Sequence, residues 1–221
     1  MRPVTLDLRQ LTHDLIQAGW QRGEEETEAD NEVLRAIRGG DRDIEDRQRS
    51  IVNWLNCYRV LMFWPPANSL STAAGIIEFA DTREHESLHL DKEKIVAEFD
   101  RLHERIKGEA PRTPAGDLRG ITSLTSKALW CCYPNDVPIF DANALRALEV
   151  LSRICGIGPA PGQSEYASFV DVWLQMYKEV EPVIQAADLS DCPYKIRVLD
   201  RLLWYLGQPG FCQAIGDSAA V

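Results

Sequence analysis

The chain has 221 residues, 45% of them hydrophobic and 26% charged, with a formal net charge of −10. That length suffices for one sizeable core or two small lobes, and the composition is that of an ordinary folded domain. No apolar run approaches the roughly eighteen residues of a membrane helix, and the basic footprint usual in nucleic-acid binders is missing.

The acid is unevenly placed: residues 1–110 carry 15 Lys and Arg against 22 Asp and Glu, and residues 111–221 carry 9 against 12. The opening MRPVTLDLRQL lacks the apolar core of a signal peptide, so the cytoplasm is the expected location.

Along the chain the hydrophobic spacing is helical nearly throughout. Leu6–Trp20 carries Leu8, Leu11, Leu15 and Ile16 at helical intervals. GEEETEADNE, 23–32, reads as an exposed acidic run leading into a helix. A long helix is expected from Ile44 to Trp64, with Ile51, Trp54, Leu55, Tyr58, Leu61 and Met62 on its apolar side, ended by Pro65 and Pro66. A short helix follows over Thr72–Phe79. Asp91 is the expected cap of a helix that ends near Gly108.

GEAPRTPAGD, 108–117, is a loop. Helices follow over 123–132, 142–154 and 165–180, the last after the loop GIGPAPGQ, 156–163, with Pro182 bending or restarting the chain. The final helix, Pro193–Leu206, has proline in its first turn and Gly207 just past its end. No strand shows convincing alternation, and an all-α fold is expected.

Two residues carry chemistry of interest. In the helix near 123–132, Leu124, Ala128, Cys131 and Cys132 form a buried stripe and Lys127 falls on its edge. An amine on an apolar rim loses hydration, which disfavours the ammonium and leaves a nucleophile. Asp141 follows the apolar Pro138-Ile139-Phe140 and precedes the next helix, where the N-terminal dipole favours an ionised carboxylate. Such a group stabilises a developing cation or takes a proton. Each residue alone also fits a bland role, Lys127 as a snorkelling surface lysine and Asp141 as a helix cap.

The string around them resembles the helix-hairpin-helix DNA glycosylase superfamily, most closely its 8-oxoguanine-glycosylase-like branch. The matching pieces are Leu118-Arg119-Gly120-Ile121-Thr122 for the hairpin, Ser126-Lys127 for the lysine, and Val137-Pro138-Ile139-Phe140-Asp141 for the aspartate. Arg146 and Leu148 follow as an Arg-x-Leu, and Arg197–Trp204 is similar to the closing helix of divergent members. In this chain Thr122 stands where the hairpin's second glycine is usual. The resemblance implies one globular unit of two helical lobes. The first is about 1–107 plus the C-terminal helix 193–207, and the second is a hairpin lobe of about 118–180.

It further implies excision of a damaged or modified base from DNA, the target nucleotide being flipped from the duplex. Lys127 would attack the anomeric carbon and Asp141 would stabilise the cationic sugar, with Schiff-base strand cleavage as a following step. Gly120 and Thr122 would meet a phosphate, and Trp130, Tyr133 or Phe140 would stack on the base, although aromatics at such spacing commonly serve the core. No cofactor is implied. The implied partner is DNA with a modified base, in repair or in defence against foreign DNA. A derived module that has lost catalysis and binds a protein or nucleic acid is the alternative.

Three further features of the sequence bear on function. Gly156-Ile157-Gly158-Pro159 matches a hairpin by itself but reads as a connecting loop. His85-Glu86-Ser87-Leu88-His89 fits H-E-x-x-H, which on a helix sets two imidazoles toward zinc with Glu86 as base, giving a zinc metallohydrolase as another alternative. The charged neighbours Arg83 and Glu84 and the cap at Asp91 favour exposed histidines at a helix junction instead. The cysteines, at 57, 131, 132, 155, 192 and 212, include no C-x-x-C pair and read as reduced, buried small side chains.

Overall fold

The computed structural model describes residues 16, 20, 24–39, 42–62, 64–83, 87–112, 120–158, 166–187 and 194–210, side chains 24–26 excepted. Among these residues the regular structure is entirely helical: α1 (Glu24–Arg38), α2 (Ile44–Cys57), α3 (Pro66–Asp81), α4 (Lys92–Ile106), α5 (Ile121–Cys132), α6 (Ala142–Cys155), α7 (Tyr166–Ala186) and α8 (Lys195–Leu206), with a short 3-10 turn at Lys107–Glu109. The all-α class expected from the spacing is what the described residues show. None of these helices is long and apolar enough to cross a membrane. Of the expected helix Leu6–Trp20, the description covers Ile16 and Trp20, both helical.

The chain divides into two compact units, Glu24–Ile139 and Phe140–Val221 together with Met1–Gly23. The boundary falls between Ile139 and Phe140, inside the stretch that the resemblance assigns to one hairpin lobe.

In the unit Glu24–Ile139, α1 packs on α2, α3 and α5, and α4 packs on α3 and α5. The acidic run leads into a helix as expected, Glu24–Glu32 being the start of α1, but it is not exposed throughout, since its Asp30 is 4% exposed. Asp30 is kept inside because it accepts hydrogen bonds from Trp54 Nε1 and Tyr58 Oη, each at 2.8 Å. Arg47 ties three helices together. Its Nε and Nη2 donate to the carbonyls of Ala36 and Ile37 in the last turn of α1, and its two Nη atoms pair with the Asp81 carboxylate at 2.9 and 2.7 Å. A guanidinium fork is the side chain suited to satisfying orphan helix carbonyls and a carboxylate at once.

Several expected boundaries shift. The helix from Ile44 stops at Cys57, well before the prolines. Arg59 adopts a left-handed φ of 55°, its N–H donates to the Asn56 carbonyl, and Val60 N–H donates to Leu55, which is the paired closure of a Schellman motif. Beyond that stop Met62 is 59% exposed, so it is not part of the apolar side. Pro66 opens α3, where its missing N–H costs no helical bond. At Asp91 the expected cap forms, with Oδ1 accepting from Lys94 N–H at 3.1 Å.

The other unit packs α6, α7 and α8 on one another. Helix α7 runs through Pro182 to Ala186 and is not restarted by it. Gly156 closes α6 with a φ of 66°, which glycine adopts without a Cβ clash, so the segment from Gly156 is a helix stop. Gly207 ends α8 with an ordinary right-handed φ of −79°. Its glycine is needed for a different reason: a Cβ there would lie 1.8 Å from the Asn143 carbonyl oxygen.

Candidate active site

Helix α5 is opened by Gly120 at a left-handed φ of 64°, and a Cβ at that position would meet nothing within 4 Å. The demand there is conformational, a backbone angle that side-chain-bearing residues rarely adopt. From Leu124 to Cys132 every residue of α5 is buried, while Thr122 and Ser123 in its first turn are half-buried. Lys127 therefore lies inside, only 2% exposed, and is no surface lysine. The polar side chains of this buried stretch are satisfied locally: Thr125 Oγ1 donates to the Ile121 carbonyl at 2.8 Å and Ser126 Oγ to the Ser123 carbonyl at 3.0 Å.

The amine of Lys127 donates to Ser123 Oγ at 2.9 Å, one turn back on the same helix. It also lies over the Tyr58 ring, 5.6 Å from the centroid, where the negative face of the ring attracts a cation. Tyr58 is held by its hydroxyl on Asp30 and stands edge-on to Trp54, with centroids 4.9 Å apart. Trp54 in turn stacks on Trp130 at 6.0 Å. Trp130, expected as a base-stacking residue, is fully buried in that stack. Sequence reasoning missed Ser123, Tyr58 and Asp30. The Ser-x-x-x-Lys spacing in α5 was a usable signal, because side chains four apart meet on a helix and lean toward its N-terminus.

Tyr133 follows α5 and is buried, and the burial pushes its phenol up to about 12. The adjacent Cys132 thiol is likewise pushed up to about 12 by burial. Together with Arg38, Ser87, Asn135 and Asp136 they line a pocket of about 430 Å³. Burial therefore disfavours both the thiolate and the phenolate in this pocket.

Of the H-E-x-x-H string, Ser87 lies in this pocket wall. His85 and Glu86 lie outside the described residues. From Ser87 to Leu90 the chain is not helical, and His89 and Leu90 have φ of 56° and 54°. The helical zinc motif is therefore not formed through His89. The loop is instead folded around the Asp136 carboxylate, which accepts from Ser87 Oγ at 3.0 Å, Leu88 N–H at 3.0 Å and Leu90 N–H at 3.3 Å. Of the cysteines, Cys57 is exposed rather than buried, while Cys131 and Cys132 are buried as expected, and Cys155 lies between. Cys192 and Cys212 lie outside the described residues.

Asp141 belongs to the other unit and is partly exposed. It is the N-cap of α6, with extended backbone and Oδ1 accepting from Asn143 N–H at 2.8 Å. The cap is braced from behind. Arg146 Nη1 donates to Asn143 Oδ1 and to the Gly207 carbonyl, so the end of α8 is fastened to the first turn of α6. Phe140, the other expected base-stacking aromatic, meets Phe169 edge-on at 5.1 Å. Arg119 and Leu118 of the hairpin lie outside the described residues, and Thr122 is half-buried in the first turn of α5.

Comparison with known proteins adds no relative: no family model, curated protein or solved structure matches the chain.

Proposed function

We propose that this chain is a DNA glycosylase-like enzyme that excises a damaged or modified base, with the amine of Lys127 as nucleophile and the Asp141 carboxylate stabilising the cationic sugar and assisting proton transfer. The observation that carries the reading is the setting of Lys127: a residue 2% exposed whose amine is hydrogen-bonded to the Ser123 hydroxyl, on a helix buried from Leu124 to Cys132. Lysines at the surface keep their charge in water, whereas an amine removed from water and fixed in one direction suits attack on carbon. Gly120 supports it as well. It opens α5 without a side-chain cap, leaving first-turn amides of the kind that receive a phosphate.

In the proposed reaction the Nζ lone pair forms a bond to the anomeric carbon. The bond from that carbon to the base breaks, and its electron pair leaves on the base, which takes up a proton. The amine loses a proton as the sugar ring opens, giving a protonated Schiff base. Loss of a neighbouring carbon-bound proton then expels the 3′ phosphate and cuts the strand. Asp141, at a helix N-terminus, offsets the positive charge on the sugar and accepts the proton.

The test is release of free base from duplexes carrying 8-oxoguanine or other modified bases. Wild-type protein should release base, and Lys127→Met should abolish release while the apolar chain still fills the buried site. Asp141→Asn, which retains a capping side chain, should slow release by about a hundredfold or more. Tight binding of such DNA with no base released from any duplex would instead favour a glycosylase-derived binding module. The net charge of −10 opposes approach to the DNA backbone, and within that second reading it favours a protein partner over nucleic acid.

A further inference from the structure

We propose that Ser123 and Tyr58 are positioning residues that hold the Lys127 amine in one attacking direction, Ser123 through a hydrogen bond and Tyr58 through its ring face. The inference rests on the reading of Lys127 as the nucleophile. Lysine has four rotatable side-chain bonds, and an unrestrained amine samples many positions of which few align with a target carbon. Ser123 Oγ at 2.9 Å takes one N–H and so restricts where Nζ can lie. A serine does this without adding charge.

Tyr58 supplies the second restraint, 5.6 Å from Nζ to the ring centroid. It cannot swing away, because its hydroxyl is held by Asp30 at 2.8 Å and its ring is fixed against Trp54. Asp30 holds Trp54 Nε1 as well, and Trp54 stacks on Trp130, three residues beyond Lys127 on α5. The restraints thus run from Ser123 on α5 and from Tyr58 at the end of α2, and Tyr58 is in turn held by Asp30 on α1 and Trp54 on α2. Ser123 neither makes nor breaks a covalent bond in the proposed reaction.

The variants Ser123→Ala, Ser123→Thr and Lys127→Met of the full chain separate this role from a merely structural one. One readout is the rate at which borohydride traps each protein on an abasic-site duplex, followed across pH. A second is modification of Lys127 by formaldehyde and cyanoborohydride across pH, read by peptide mass, which needs no DNA. Ser123→Ala should fold with little change in Tm, slow trapping by about tenfold and displace the pH profile of Lys127 modification, whereas Ser123→Thr, which keeps the hydroxyl, should stay within about threefold of wild type. Wild-type-like behaviour of Ser123→Ala in both readouts overturns the inference. If the wild-type protein forms no adduct on DNA, the glycosylase reading fails, and the modification profile alone decides the positioning: a profile displaced in Ser123→Ala and restored in Ser123→Thr supports it, and an unchanged profile overturns it.

Discussion

At Asp30 a single carboxylate serves two buried donors, Trp54 Nε1 and Tyr58 Oη. Replacing it with alanine leaves both without that acceptor, and each such loss costs about 1–3 kcal/mol. Asp30→Ala should therefore lower the urea midpoint clearly. Asp30→Asn, which keeps a neutral acceptor, should lower it less. Asp136 makes a parallel case: Asp136→Ala should release the 87–90 loop, detectable as faster amide exchange at Leu88 and Leu90, whose N–H groups it accepts. The sequence marks Lys127 and Asp141 because their chemistry is written in residue type and neighbours. It does not mark Asp30, which sits in a run of acids that looks solvated. What takes Asp30 inside is a tertiary fact, the arrival of Trp54 and Tyr58 from 24 and 28 residues away.

Helix existence follows from hydrophobic period, and the helices capped by Asp91 and Asp141 begin where the sequence places them. Helix ends are harder to read where the stop is unusual. The end of α2 relies on Arg59 in a left-handed conformation, a position at which glycine would have announced the turn. Pro66 and Pro182 mislead in the opposite sense, the first because it starts a helix and the second because α7 continues through it.

Two predictions belong to this scale. Gly207→Ala drives a Cβ to 1.8 Å from the Asn143 carbonyl, so the end of α8 must separate from the start of α6. Overpacking of this kind costs about 1–3 kcal/mol or more, and Gly108→Ala, where the Cβ meets nothing within 4 Å, is the control. Calorimetry should show a lowered Tm in the first and little change in the second. Arg47→Met removes the bonds to α1 and to Asp81 together and should cost about 3 kcal/mol, somewhat reduced because Asp81 is half exposed. Urea denaturation measures it.

Across the whole molecule, the direction of pH dependence follows from the shifted groups. Burial lowers the His103 pKa from its ordinary 6.5, so the unfolded chain takes up that proton more readily than the folded one. Stability from His103 is present above pH 6.5 and declines as the pH falls below it. Glu78 is held low by its hydrogen bond and charge pairing with Arg105, and Glu104 by Lys107, each from an ordinary 4.5. Their contribution is present above that value and falls away at lower pH. Both effects have the same sign, so Tm should decline progressively on acidification from pH 7, and His103→Leu should flatten the upper part of that decline.

The net charge of −10 bears on the partner rather than the fold. An acidic protein that works on DNA must lean on local contacts, and its binding should weaken steeply as salt rises.

The central claim is that Lys127 is an amine nucleophile toward DNA. The most direct measurement is borohydride trapping on an abasic-site duplex at low salt, with the adducted residue located by peptide mass spectrometry. The account predicts a one-to-one covalent adduct on Lys127 that is absent in Lys127→Met. An adduct on any other lysine or on the terminal amine, or no adduct from a protein that still releases free base, would contradict it.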